Sequence, residues 1–570
     1  MIKKAKIFLF AGLFCIQPHI CFSAGEWELP ATNLSDPGQS AFSPQVAMDP
    51  AGNAIAVWVR SDDLTALPRI QSKRYNAETD SWVIPTTGIY LSDSEADVPQ
   101  VAMDPAGNAI AVWIWGAVFP PPFRIQAKKY DAQTDSWVVP TPGIDISGDF
   151  AFAPQVAMDP TGNAIAVWQR IDGGTTKFVI QAKRYKKNTD SWVIPAPGID
   201  LSDPTEEAFS PQVAMDSAGN AIAVWSIYDG IITDRVQAKR YNAETDSWMI
   251  TATNLSDPGE NTENPQVAMD PSGNAIAIWH NKSNDRIQAK RYDAETDSWV
   301  IPITGINLSD PGQNAALPQV AMDSTGNAVA VWQISDGSNV RIQAKRYDAE
   351  TDSWVNPATG IYLSDPGQDA GLPQVAMDSA GNAIAVWQRS DGSNTIIQAK
   401  RYDARTDSWS TTATNLSAPG KNASQPQVAM NPAGNAVAVW KRSDGSDFRI
   451  QAALFFPIPA PSNLIARQKV RRFPAQVDLT HVLCWDAVEG VVKYRIYADS
   501  NLGDIITNVS DNEKISSMLS GDIGILIAEI PAQTKPCFVV HARCPGVKMT
   551  YYVVGVDEGG NNGIPASVTI

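Results

Sequence analysis

"PQVAMDPAGNAIAVW", residues 44–58, decides the fold, because the chain writes it eight times. The copies begin at Pro44, Pro99, Pro154, Pro211, Pro265, Pro318, Pro373 and Pro426, and successive starts lie 53–57 residues apart. Self-similarity at such a period marks a solenoid, an array or a propeller. Each copy breaks into four short segments with no sustained 3.6-residue period. "PQVAMD" is the first. "DPAGN" then turns the chain, Asp-Pro opening a turn and Gly supplying a positive φ. "AIAVW" follows, apolar on both faces and so expected to be buried on both sides. After a variable loop come "RIQAKRY", the tight turn "DAETDS" and "SWVIP". Four antiparallel strands per unit predict one propeller blade.

The ends of the array predict a closed ring. The eighth copy stops at "IQAALFFPIP" (450–459), without the last turn and the Trp strand. "GEWELPATNLSDPG" (25–38) closely matches "DSWMITATNLSDPG" (246–259). The N-terminal strand is therefore expected to supply the outer strand of blade eight, leaving no open edge to aggregate. Of 18 tryptophans, eight end the second segment (Trp58, Trp113, Trp168, Trp225, Trp279, Trp332, Trp387, Trp440). Eight more open the fourth (Trp27, Trp82, Trp137, Trp192, Trp248, Trp299, Trp354, Trp409). Both sets are expected in the packing between blades.

The Tyr and Trp seven positions apart in "YDAETDSW" (292–299) resemble the kelch repeat, without its double glycine. The acidic turn before Trp is similar to the Asp-box hairpin of sialidase-type propellers, without its full pattern. These resemblances imply a kelch-like or sialidase-like propeller over residues 24–456. Beyond a Pro-rich linker (457–462), residues 463–570 resemble a fibronectin type III domain, in the Trp485 strand, "YRIY" (494–497) and "YYVVGVDEGG" (551–560). The fold class expected is all-β: an eight-bladed propeller of four-stranded blades followed by a β-sandwich.

Residues 1–23 read as a secretory signal, with Lys3, Lys4 and Lys6 before an apolar run too short to span a bilayer. Its removal takes the net charge from −17 to −20. A chain this acidic is a poor partner for nucleic acid or an anionic membrane. The expected location is secreted, periplasmic or cell-surface, with no membrane span. Cys15 and Cys21 lie in the signal; Cys484, Cys537 and Cys544 allow at most one internal bridge and leave one thiol over.

Catalysis needs unlike groups converging on one point, so departures from the repeat are where chemistry would lie. His280 is the one histidine of the array and reads as a loop residue. A kelch propeller with an immunoglobulin-like tail is similar to galactose oxidase, but a ring with one His and no Cys cannot carry that copper site. No metal and no cofactor are expected. Two residues past the inner Trp, Arg389, Arg442 and Arg60 come from three consecutive blades in ring order. Three guanidinium groups could fork onto a carboxylate or phosphate. A sialidase holds its substrate carboxylate with such a triad, although "FRIP" is absent here and "FRIQ" (123–126) stands nearest. The competing reading pairs each Arg with a neighbouring "SDG" aspartate, such as Arg389 with Asp391. Copy two departs most: "WIWGAVFPPPFR" (113–124) adds Trp115, Phe119 and Phe123 beside three prolines. Exposed aromatics on a stiff loop suit a sugar or a protein hot spot.

The variable second-to-third strand loop and the inter-blade connection share one face of a propeller, where a rigid scaffold presents a binding surface. The function expected is that of an exported, non-catalytic binding or adhesion protein. It would engage a glycan or protein ligand at a cell surface through Arg60, Arg389, Arg442, Trp115, Phe119 and Phe123. The alternative is a carbohydrate-active enzyme, a sialidase-like hydrolase using the arginine cluster.

Overall fold

The computed structural model describes residues 27–457 apart from 62–66, 84–87, 94, 117–121, 139–142, 175, 194–197, 229–233, 301–304 and 356–359. Beyond 457 it describes seven strands and the residues beside them. The expected signal (1–23), Phe119, most of the Pro-rich linker and Cys544 lie outside the described residues.

The chain forms an all-β, eight-bladed propeller. Blade one shows the pattern. Its inner strand Ser40–Met48 pairs with Ala54–Ser61, which pairs with Arg69–Asn76, all antiparallel. The fourth strand differs from expectation. It is two separate rungs, Ser81–Trp82 and Ile89–Tyr90, both pairing with the third strand. Length explains the break. Trp82 lies opposite Tyr75 and Ile89 opposite Ser72, so the outer segment spends seven residues where its partner spends three. Every inner strand carries a bulge just before its Pro-Gln-Val, at a positive-φ residue such as Ser43, Val98 or Leu372. The bulge bends the strand and re-aims the side chain beside it.

The second strand holds the ring together. Its alanines and Trp turn toward the preceding blade, its Ile and Val toward the following one. Trp113 packs on Ile55, Val57 and Val59 of blade one, and Trp168 on Ile110 and Val112 of blade two. The series runs on to Trp440, and Trp58 of blade one packs on Val437, Val439 and Ile450 of blade eight. All eight of these indoles have zero exposure. Glycine recurs above the indole because a Cβ at Gly305 would lie 2.5 Å from Trp279 Cζ2. The second set of tryptophans, expected in the core, is only half-buried. Seven sit on their blade's Tyr and Trp27 on Phe455, ring centroids 5.5–5.7 Å apart, at the perimeter.

There the "TDSW" aspartate takes φ near +50°, a conformation Asp tolerates. Its carboxylate accepts the Tyr hydroxyl of its own blade, as in Tyr75–Asp80 at 2.6 Å. It also accepts a cation from the preceding blade: Arg74–Asp135 at 2.9 Å, Lys129–Asp190 at 2.9 Å, Arg291–Asp352 at 3.1 Å and Arg346–Asp407 at 3.2 Å. Asp80 of blade one faces a different seam. Leu454 stands where the other third strands carry Arg or Lys, Thr32–Asn33 pairs with Ala452 and Gln451, and Glu28 donates its N–H to Leu454 O at 2.7 Å.

Among residues 465–569, one sheet runs Ile465–Phe473, Gln476–Cys484, Cys537–Ala542. A second runs Ile525–Pro531, Lys493–Ala498, Thr550–Val556, Ala566–Thr569. Cys484 is disulfide-bonded, and Cys537 lies opposite it in register.

Burial, and then the Asp80 charge, push the Glu28 carboxyl from its ordinary 4.5 up to about 7. A carboxyl raised on folding stabilises the fold fully below its unfolded pKa and loses that contribution as pH climbs through the folded value. The thermal midpoint should therefore fall between about pH 4.5 and pH 7, and Glu28→Gln should flatten that decline.

Candidate functional site

Antiparallel order puts the second-to-third strand loops and the inter-blade connections on one face, and the two tight turns on the other. The expected arginines point to the first face. Arg60, Arg389 and Arg442 hold equivalent positions in three consecutive blades, opposite Ala41, Ala370 and Ala423 of the inner strands. Two of them, Arg60 and Arg442, are tied to their own seams. Arg60 is 4% exposed, and its guanidinium reaches Asp36 of the preceding connection at 3.3 Å. Arg442 meets Ala418 at the corresponding place and donates to its carbonyl at 3.2 Å. Arg389 Nε is buried without a hydrogen bond among the described residues. The "SDG" aspartates take no part. Asp391 accepts the N–H groups of Ser393 and Asn394 at 2.9 and 2.7 Å, which fixes its loop and lowers its pKa.

The aromatic expectation divides. Trp115 is half-buried against the cluster between blades one and two. Phe123 begins a row that the sequence reading did not assemble. Its ring lies 5.1 Å from Phe152, Phe152 lies 6.0 Å from Phe178, and Phe178 lies 5.7 Å from Phe209. The interplanar angles are 46°, 76° and 56°, the tilted and edge-on geometries that ring quadrupoles favour. Four partly exposed phenyl rings thus run across blades two, three and four. Their signal was positional: Phe152 and Phe209 stand two residues before the repeated Pro, Phe123 and Phe178 three before the repeated Gln. Beside the row, Arg124 binds Asp149 at 2.6 Å and Asp145 at 2.9 Å, and those two carboxylates raise its pKa. Gln126 donates to the same Asp145 at 2.9 Å.

His280 is a strand residue, not a loop residue, because the second strand of blade five extends to Asn281. It is 8% exposed, its Nδ1 lies 3.3 Å from Glu263, and burial pushes its pKa down. Among the described residues no three His, Cys, Asp or Glu side chains converge to hold a metal ion, and no helix is long and apolar enough to cross a membrane. Clefts open along the perimeter seams. One of about 380 Å³ lies between Arg240, Met249 and Thr251 of blade four and Tyr292, Asp297 and Trp299 of blade five. A second of the same volume lies between blades two and three, walled by Lys129, Tyr185 and Trp192. These volumes fall in the range of small-ligand sites.

No family model and no curated protein matches the chain. Solved structures similar to it include a protein of unknown function from Dyadobacter fermentans DSM 18053, at 12% identity and TM-score 0.38, covering 65% of this chain and 97% of that one. The Dos1 propeller aligns at 11% identity and TM-score 0.40, over 74% and 93%. The polysaccharide lyase Uly1 aligns at 10% and 0.42, over 61% and 87%. Similarity at this level carries no argument about activity.

Arg60→Ala should cost about 1–3 kcal/mol in a chemical melt, since it strips Asp36 of its partner in a covered seam. Arg389→Ala should cost less, because no hydrogen bond of its Nε is lost. Equal losses would give the three arginines one common role.

Proposed function

We propose that this chain is an exported, non-catalytic glycan-binding protein that engages its ligand through the variable-loop face of the propeller. The observation that carries the reading is the phenyl row Phe123–Phe152–Phe178–Phe209 with the Arg124–Asp145–Asp149 group at its edge. Aromatic faces stack on the C–H faces of sugar rings, and charged hydrogen-bonding groups alongside fix hydroxyl positions. Trp115 extends the apolar surface from blade two. Arg389 and Arg442 would meet an acidic substituent on a glycan that reaches across the ring. The hydrolase reading needs the arginines at one point, and the attachment of Arg60 and Arg442 to separate seams favours binding.

The proposal includes the architecture that presents this face. Residues 1–23 are a secretory signal, 24–456 the propeller, 457–462 a linker and 463–570 a fibronectin type III-like spacer, whose sandwich the two C-terminal sheets would form. Trp27 and Thr32–Asn33, paired with the third strand of blade eight, act as the closing rungs of the ring. A chain lacking residues 24–40 should then melt at a markedly lower temperature than the intact mature protein. An unchanged melt would refute closure by this segment.

A glycan array tests the binding reading. Wild-type protein should bind a subset of glycans, and Phe152→Ala should weaken that binding up to about tenfold at a temperature where the variant is still fully folded. A silent array, or an unaffected variant, would remove the phenyl row from the site.

A further inference from the structure

The face opposite the phenyl row is built from turns that scarcely change from blade to blade, and blade three breaks the pattern. Where blades five and six read Asp293-Ala294-Glu295 and Asp348-Ala349-Glu350, blade three reads Lys186-Lys187-Asn188. Two negative charges become two positive ones. The change has a local cost. In blade five the Asp293 carboxylate accepts the N–H groups of Glu295 and Thr296 at 3.0 and 3.1 Å. Lys186 has no acceptor to offer, and Lys187–Thr189 form a single 3₁₀ turn with no side-chain cap. A repeat that abandons its own turn chemistry at one place marks that place as serving something other than the turn.

What the change assembles is a basic concavity. Arg184, Lys186, Lys187 and Asn188 of blade three, with Thr161 and Asn163 of its first turn, face Ala243 and Asp246 of blade four around a cavity of about 550 Å³. Arg184 and Lys186 reach the two oxygens of Asp246 at 2.6 and 2.5 Å. Lys187 lies 3.3 Å from Asp104. That buried carboxylate already accepts the N–H groups of Ala106 and Asn108 and the Asn108 side-chain amide. Three cations and one carboxylate, Asp246, line the cavity, while Asp104 behind Lys187 and Asp159 behind Thr161 and Asn163 are engaged in their own turns, on a chain of net charge −17. Each ammonium has three N–H donors, so both lysines can serve their aspartate and an incoming oxyanion together.

We propose that this cavity is an anion site for the carboxylate or sulfate group of an acidic polysaccharide, ligated by Lys186 and Lys187 beside Asn163 and Asn188. Arg184 is a positioning residue: it holds Asp246, which in turn fixes Lys186. The identity of the carrier rests on the glycan reading above; the anion site itself does not.

The test measures binding of polygalacturonate, dextran sulfate and neutral dextran to the full mature chain at low and high salt. The variant Lys186→Asp/Lys187→Ala/Asn188→Glu writes the sequence of blades five and six into blade three, so it keeps a turn the fold already uses. Wild-type protein should bind at least one acidic polymer, more weakly as salt rises, and should ignore neutral dextran. The variant should lose more than about tenfold of that affinity at an undiminished melting temperature. Binding of polygalacturonate alone assigns carboxylate, and of dextran sulfate alone, sulfate. Equal binding by variant and wild type, or no binding of either acidic polymer, overturns the proposal. Phe152→Ala separates the two faces. If array glycans bind and the acidic polymers do not, the anion site falls and the phenyl face stands. If the array is silent while the blade-three variant abolishes polymer binding, the reverse holds.

Discussion

Everything in the ring depends on one contact, the indole of each second strand wedged against the Ile and Val of the blade before it. A tryptophan buries about 200 Å², and eight of them do so at zero exposure. The alanines on the same strand face are small enough to let the sheets approach, and in five blades a glycine above the indole leaves room for its six-membered ring. No cysteine lies in residues 24–456, so cohesion between blades comes from this apolar packing and its hydrogen bonds. In four blades the indole N–H also donates to the repeated Gln of the third strand, at 2.9–3.3 Å.

Electrostatics is arranged around that wedge at the perimeter. One aspartate per turn does two jobs, ordering its own hairpin through the Tyr hydroxyl and accepting a cation from the previous blade. Exposed pairs of this kind add little each. Blade eight is the exception, since its third strand carries Leu454 and Phe455 in place of Arg and Tyr. Glu28 is partly buried there beside Asp80, and burial first and the Asp80 charge second push its carboxyl up.

A scaffold this repetitive makes its irregularities informative. Eight near-identical units can place like groups around a circle but cannot bring unlike groups together without departing from the repeat. The two departures with three-dimensional consequences lie on opposite faces: phenyl rings across blades two to four, and a basic turn in blade three. One presents apolar faces, the other a cavity lined by an arginine and two lysines, so the two surfaces suit different parts of a ligand.

The sequence by itself determined the blade count and the strand order within a blade, because period, turn chemistry and two-sided apolarity are local properties. It also read the aspartate of "DPAGN" as opening its turn, where Asp49 accepts the Asn53 N–H. Only the tertiary structure decided which tryptophans are fully covered, since that depends on the neighbouring blade and not on the repeat position. The outer strand breaks into two rungs through a length mismatch with its partner, visible only once the register is known. His280 became a strand residue because its strand runs two residues beyond the Trp. The arginines share a row in sequence, and the fold turns Arg60 onto Asp36 and Arg442 onto Ala418, each of its own seam. Phe123, Phe152, Phe178 and Phe209 lie far apart along the chain, and only the packing of one blade on the next sets their rings within 6.0 Å of one another in turn.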